Sequence, residues 1–437
     1  MDIRSENDKK SGYEVQMEAE ERVIVFAVAS GGVSVEDTEK SLDELEELLE
    51  TAGAATVGRL IQSLDRATSD LYLGSGKVEE LRSMVAMYDA TGVVCDDELS
   101  PAQLMNLQDA LNIKVMDRTM VILDIFAAHA GSYEGKLQVE LAQLRFRATR
   151  LVGMRDSLSR LGGGIGTRGP GEKKLEIDRR VIRDRISKLK ADLRQVEGRR
   201  TEQRKQRNRT GIPVVSIVGY TNAGKSTLLN KLTGAGVLEE DKLFATLDPA
   251  TRNAVLPAGQ QVLFTDTVGF IRKLPHHLVE AFKSTLEEAK YSDVILHVVD
   301  ASDPNWDRNM ETVYATLRQL NVDEEKDHPI ITVFNKIDKL PEGGDISMIK
   351  DLHADRMVYL SAKTGAGIDD LLVQVEEVLR EQKTYIRHTF AYQDAGKPGL
   401  IRKYGEVLTE EYLEDGIFVE AYVPKSLIGQ LGLDKNL

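Results

Sequence analysis

Four short segments in the second half of this chain carry residue types that chemistry needs at fixed spacing. Gly219-Tyr220-Thr221-Asn222-Ala223-Gly224-Lys225-Ser226 fits G-x-x-x-x-G-K-S. The apolar run Pro213–Val218 precedes it and a helical stretch, Thr227–Thr233, follows, which is the strand–loop–helix context the pattern requires. In such a loop, backbone N–H groups wrap phosphates at a helix N-terminus. Lys225 can neutralise the β- and γ-phosphates and Ser226 can ligate Mg²⁺, with Gly219, Asn222, Ala223, Gly224 and Thr227 lining the same cradle. Farther on, Val262–Thr265 ends in Asp266-Thr267-Val268-Gly269. Asp266 can hold Mg²⁺ through water, and the Gly269 amide can contact a γ-phosphate. Ile330–Phe334 ends in Asn335-Lys336-Ile337-Asp338, where a carboxylate can accept from both guanine N1–H and N2–H₂, a pattern adenine lacks. Met357–Leu360 leads to Ser361-Ala362-Lys363, placed to support the base. D-x-x-G alone is common by chance. Four segments in order, each at a strand end, imply a GTP site.

The elements that must position these segments alternate, strand then helix, from residue 211 to 386, and the same alternation occurs near the start of the chain. Val23–Ala29, Ala55–Ile61, Gly92–Cys95 and Ile113–Met116 read as strands; Glu39–Leu49, Lys77–Met87 and Pro101–Leu111 read as helices. A small, mostly parallel α/β domain is expected over 22–135, after a polar tail at 1–21. Gly74-Ser75-Gly76-Lys77 resembles a fragment of a phosphate loop but reads as a glycine turn before a helix.

Between the two α/β regions the pattern changes. Leu137, Leu141, Leu144, Ala148, Leu151, Met154, Leu158 and Leu161 recur at spacings of three and four, as do Ile182, Ile186, Leu189, Leu193 and Val196. Two such stripes read as an antiparallel coiled-coil hairpin over 136–210. Helices of about 24 residues would make a rod of roughly 35 Å. The joining segment, Gly162 to Lys174, contains a formal G-x-G-x-x-G, but a helix rather than a strand precedes it, so a dinucleotide fingerprint is rejected. A side-chain-poor loop bearing Arg168, Lys173 and Lys174 suits close approach to folded RNA. Residues 387–437 read as a small α+β domain, with Phe418–Val423 its clearest strand.

Charge distribution supports that reading. The 437 residues carry a net charge of −14, yet Lys136 to Arg209 holds 22 Lys+Arg against 9 Asp+Glu, an excess of 13 positive charges. A solvated helical face mixes signs more evenly; so large a basic excess in an acidic protein points to nucleic acid. The single cysteine, Cys95, excludes a disulfide framework or a Cys-rich zinc site. No apolar run nears the ~18 residues of a membrane span, and Met1 to Glu21 has no apolar signal core, so a cytoplasmic protein is expected.

The four nucleotide segments resemble the translation-factor-related GTPases. The whole chain resembles the HflX family of ribosome-associated GTPases, on Gly163 through Glu172 at the hairpin tip, Leu175-Glu176, Asp178-Arg179-Arg180, the phosphate loop, Phe244-Ala245-Thr246-Leu247-Asp248-Pro249 and Asp266-Thr267-Val268-Gly269-Phe270. Lys173 stands where a hydroxyl residue is expected. On the residues alone, Thr246 and Thr251 are equal candidates for the switch threonine that reaches Mg²⁺ and the γ-phosphate; the resemblance implies Thr246, with Lys225 and Gly269 as its catalytic companions. It further implies that the hairpin enters the large ribosomal subunit, meeting rRNA near the peptidyl-transferase centre, and that GTP and GDP control binding, subunit separation and rescue of stalled ribosomes. An assembly or RNA-binding switch without splitting is the alternative. A remodeller using ATP at the first domain ranks last, for want of a complete phosphate loop there. A monomer is expected.

Phe270 follows D-x-x-G where many regulatory GTPases place a water-orienting glutamine. Phenylalanine offers no hydrogen bond, so slow hydrolysis, stimulated from outside, is expected. Ribosomal ordering of the switches is one source and K⁺ held beside Asn222 another. Whether Phe270 is simply packed beside the switch is a question for the fold.

Overall fold

The structure, a computed structural model, describes residues 21–161, 170–234, 243–244, 249–274, 278, 289–320, 322, 328–340 and 349–433, with side chains described except at 152–175, 203–210 and 426. The chain divides into two compact units: one runs to Asp96 and adds Gln103–Asp117, and the other comprises Asp97–Ala102 and Arg118 onward.

The first unit is a four-stranded parallel sheet ordered β2-β1-β3-β4, formed by β1 (Glu21–Ala29), β2 (Ala54–Ser63), β3 (Gly92–Cys95) and β4 (Lys114–Asp117). Helices α1 (Val35–Thr51), α2 (Ser75–Tyr88) and α3 (Pro101–Leu111) connect them. Ser34 caps α1, its hydroxyl accepting from the Asp37 amide. At Gly74, the N-cap of α2, the amide donates to Gln62 Oε1 at 2.9 Å, so this glycine makes a turn against a neighbouring strand.

In the second unit, α4 (Arg118–His129) leads into α5 (Tyr133–Leu161) and α6 (Pro170–Thr210), which pair antiparallel. Glu134 meets Arg200, Glu140 meets Arg185, and Arg179 donates to the Leu151 carbonyl, so one helix rises as the other descends. Leu137, Leu141, Leu189 and Leu193 are buried in the seam, with Leu144, Ile186 and Val196 packed against them. The helices are longer than expected, 29 and 41 residues. The apolar stripe ends at Val196, but the Arg-, Gln- and Lys-rich stretch beyond it contains good helix formers and continues the helix. Of the other stripe residues, Ala148, Leu151 and Ile182 are half-buried, and Met154, Leu158 and Leu161 fall where side chains are not described.

The next part of this unit is a six-stranded sheet ordered β10-β9-β8-β5-β7-β6. It comprises β5 (Val214–Gly219), β6 (Ala250–Val255), β7 (Gln261–Asp266), β8 (Val294–Asp300), β9 (Ile330–Asn335) and β10 (Arg356–Tyr359). All pairs are parallel except β6 on β7 at the edge. Helices α7 (Lys225–Thr233), α8 (Trp306–Gln319) and α9 (Ile368–Glu381) accompany the sheet. Near-continuous apolar strands are what a parallel sheet covered on both faces requires; Val215, Ile217, Leu296, Val298, Ile331 and Val333 are fully buried. A three-stranded antiparallel sheet follows, ordered β11-β13-β12, from β11 (Thr384–Phe390), β12 (Glu406–Leu413) and β13 (Gly416–Val423). It packs on α10 (Gly396–Tyr404) and α11 (Lys425–Leu431). Among the described residues, no helix is long and apolar enough to cross a membrane.

One buried group makes the stability of this unit pH-dependent. His297 on β8 is fully buried, neither ring nitrogen has a hydrogen-bond partner among the described residues, and its ring meets the Tyr314 ring edge-on at 4.9 Å. Burial pushes its pKa down to about 4, against an opposing pull from Asp351 and a reinforcing push from Lys225. Burial alone would raise the Asp351 carboxyl, but hydrogen bonds from Thr332 and Tyr314 outweigh it and hold it low. Because the folded state binds the His297 proton less well than the unfolded chain, this contribution to stability is complete above pH 6.5 and drains away as pH falls toward 4. The loss should be about 3 kcal/mol. Urea unfolding from pH 7 to pH 4 should show it in the wild type and not in His297→Leu; parallel curves would refute the assignment.

Candidate nucleotide-binding site

The loop Gly219 to Ser226 leaves the C-terminal end of β5, a strand inside the sheet flanked by β7 and β8, and enters α7. Its conformation needs glycine at 224: φ is +93°, and a Cβ there would lie 2.3 Å from Asn335 Nδ2. The same asparagine braces the site. Asn335 Nδ2 donates to the Ala223 carbonyl at 2.9 Å, and Asn335 Oδ1 accepts from the Ala362 amide at 2.9 Å. One buried amide therefore ties the phosphate loop to the segment Ser361-Ala362-Lys363, where Ser361 and Ala362 are buried and Lys363 is exposed.

Lys225 is 6% exposed and its ammonium donates to the Tyr220 carbonyl at 2.8 Å. Burial pushes its pKa down to about 8; Asp266 opposes that shift and Lys336 adds to it. Ser226 Oγ donates to Asp266 Oδ2 at 2.8 Å. A hydroxyl and a carboxylate side by side form an all-oxygen donor pair that fits a hard divalent cation. Mg²⁺ held there would neutralise developing phosphate charge. Gly269 sits close against the loop: a Cβ on it would meet Thr221 Cγ2 at 2.8 Å and Lys225 Nζ at 3.0 Å, so a larger residue would displace these side chains. The segment after Asp266 is laced to the loop, with Phe270 N donating to the Gly219 carbonyl and Thr221 N to the Phe270 carbonyl. Tyr220 OH accepts from the Arg272 amide at 2.8 Å. The Phe270 side chain is 2% exposed, buried beside the switch.

In the N-K-x-D segment, Lys336 has φ +64° and its ammonium pairs with Asp300 at 2.8 Å. Asp338 is exposed, and the Ser361 hydroxyl beside it holds its carboxyl below the usual carboxylate range. Asn222 is exposed and Thr227 half-buried at the start of α7. Thr251, the other switch candidate, lies in β6 with its hydroxyl bonded to Thr265 at 3.0 Å across the β6–β7 ladder. Thr246 and Arg168 lie outside the described residues; Lys173 and Lys174 are in the first turns of α6 without described side chains. The fold thus gathers Gly219, Asn222, Ala223, Gly224, Lys225, Ser226, Asp266, Gly269 and Asn335 around one loop. The sequence reading missed Thr221 and Tyr220, which sit inside the motif as its unspecified positions.

A phosphate loop on an interior strand of a mostly parallel sheet, with D-x-x-G packed over its lysine and N-K-x-D braced against its glycine, defines a P-loop GTPase, an enzyme that hydrolyses GTP. Family models match along the chain: "GTP-binding GTPase N-terminal" at residues 39–127, "GTP-binding GTPase Middle Region" at 129–207 and "50S ribosome-binding GTPase" at 214–336. The chain is 62% identical to the GTPase HflX of Lacrimispora saccharolytica over 95% of its own length and 96% of that protein. It is 50% identical to the GTPase HflX of Caldanaerobacter subterraneus subsp. tengcongensis, covering 92% of this chain and 91% of that one. With the GTPase HflX of Escherichia coli K12 it shares 44% identity, over 82% of this chain and 83% of the relative. The chain belongs to the HflX family of GTPases.

Proposed function

We propose that this GTPase binds the large ribosomal subunit and 70S ribosomes in its GTP state, inserts the hairpin tip against rRNA near the peptidyl-transferase centre, and drives the subunits apart. The observation that carries the reading is the excess of 13 positive charges between Lys136 and Arg209 in a chain of net charge −14. Paired helices carry that charge, the longer one of 41 residues spanning about 60 Å. Arg168, Lys173 and Lys174 would contact RNA at the tip. In the nucleotide site, Ser226, Asp266 and Thr246 would hold Mg²⁺, Lys225 and the Gly269 amide the γ-phosphate, and Asp338 the guanine. Hydrolysis by the free protein would be slow, since a buried Phe270 cannot orient water, and the ribosome would complete the site; K⁺ beside the exposed Asn222 is a further contributor. The protein would act as a monomer in the cytoplasm, the C-terminal sheet making a second ribosomal contact.

Gradient sedimentation tests this. With a non-hydrolysable GTP analogue the wild type should convert 70S particles to subunits, and GDP should not. Deleting Gly162 to Lys174 should abolish splitting while leaving nucleotide affinity intact, and binding should weaken steeply with salt. Large subunits should also raise GTP turnover ten-fold or more, at least ~1.4 kcal/mol of transition-state stabilisation. Intact 70S particles under the analogue would favour the assembly or RNA-binding switch instead.

A further inference from the structure

We propose that Thr221 is a γ-phosphate-binding residue of this enzyme, its hydroxyl donating a hydrogen bond to a γ-phosphoryl oxygen. The inference rests on the reading of Lys225 and Gly269 as γ-phosphate holders and extends it to a residue that the motif leaves unspecified.

Three observations converge on it. Thr221 is only 6% exposed, and its Oγ1 is buried with no hydrogen-bond partner among the described residues. A hydroxyl withdrawn from water and left unsatisfied is costly, and folds keep such groups where a ligand completes them. Its backbone N–H is already committed to the Phe270 carbonyl at 2.7 Å, so the side chain is the residue's remaining donor. Finally, Thr221 Cγ2 and Lys225 Nζ lie 2.8 and 3.0 Å from one point, the position a Cβ on Gly269 would take. Threonine, lysine and the D-x-x-G glycine are therefore packed together, with the threonine methyl toward Gly269. A γ-phosphoryl group held by Lys225 and the Gly269 amide would lie beside Thr221, and the hydroxyl would reach its oxygens as a neutral donor in a site shielded from water.

The chemistry balances without proton transfer to threonine. Water oxygen forms the new bond to γ-phosphorus, the bond to the β–γ bridging oxygen breaks with its electron pair leaving on GDP, and the water proton goes to the released phosphate or to solvent. Thr221 holds the transferring group and stays neutral. This supplies part of what Phe270, buried and without a polar atom in its side chain, cannot.

Thr221→Val keeps the β-branched shape packed against Gly269 and removes only the hydroxyl; Thr221→Ser keeps the hydroxyl. With the full chain in Mg²⁺ buffer, equilibrium binding of fluorescent GDP and of a non-hydrolysable GTP analogue gives an affinity ratio, and single-turnover hydrolysis gives the chemical step. The valine variant should leave GDP affinity within about two-fold, lower the analogue-to-GDP affinity ratio about five-fold, and slow hydrolysis about ten-fold or more. Serine should restore both. A valine variant with the wild-type ratio and rate overturns the proposal, as does one that loses GDP and the analogue equally, which would mark Thr221 as a packing residue. Lys225→Ala run in parallel separates the two layers: if it binds the analogue normally, the γ-phosphate reading itself fails and takes this inference with it.

Discussion

Lys225→Ala is expected to lose nucleotide binding almost completely, with affinity for GTP and GDP down by two to three orders of magnitude and no detectable turnover. The side chain is buried at the floor of the loop and its ammonium is held on the Tyr220 carbonyl at 2.8 Å, so it is preorganised. A cation in that position meets the phosphates in a desolvated site, where removing one partner of a charge pair costs roughly 2–5 kcal/mol. Alanine would also leave a cavity beside Gly269, since the ammonium lies 3.0 Å from where a Cβ on that glycine would sit. Fluorescent-nucleotide titration measures the loss, and unchanged circular dichroism shows that the sheet persists. Near-normal GTP affinity would mean that the loop does not cradle phosphates.

Asp338→Asn is expected to exchange the preferred base, lowering GTP affinity about 100-fold, near 2.7 kcal/mol, and raising affinity for xanthosine triphosphate. Asp338 is exposed at the end of the N-K-x-D segment, and the Ser361 hydroxyl holds its carboxyl low, so the ionised form is the one that meets a ligand at neutral pH. An ionised carboxylate only accepts, which matches the two guanine donors; asparagine offers one acceptor and one donor, which matches the N1–H and 2-carbonyl of xanthine. The neighbouring Lys336 is already paired with Asp300 at 2.8 Å and would not compensate. Competition binding with GTP, ATP and XTP decides it. Unchanged GTP affinity with no gain for XTP would remove Asp338 from the base pocket.

Much of the molecule is legible in the residue order because the determining physics is local. Gly219 through Ser226 reads as a phosphate cradle since loop, glycines and helix start are contiguous, and the apolar run from 213 to 218 just before it reads as its strand; the strand at 294–300 passed unread, since a short apolar run alone does not separate a strand from a buried helix. The heptad-like leucines likewise announced the hairpin, because neighbours on a helix lie three and four residues apart. They understated its length, since a helix that propagates on Arg, Gln and Lys propensity leaves no apolar periodicity to read.

What remained for the tertiary structure depends on contacts between distant positions. Asn335 reads in sequence as a guanine-binding residue, yet its amide bridges Ala223 and Ala362, 112 and 27 residues away, and so fixes the loop at 219–226 against the segment Ser361-Ala362-Lys363. Thr251 reads in sequence only as a threonine near a switch, and it is the β6–β7 ladder that ties its hydroxyl to Thr265. Phe270 is missing its hydrogen bond by residue type alone, but its burial and the lacing of its backbone to Gly219 and Thr221 are decided by how β7 lies beside β5. Thr221 itself carries no signal in a one-dimensional motif, because an unspecified position acquires meaning only when the chain brings Gly269 and Lys225 against it. Residue types specify which bonds a side chain can make; the packing of parallel strands, with their loops gathered at one end of the sheet, decides which of those bonds are left for a ligand.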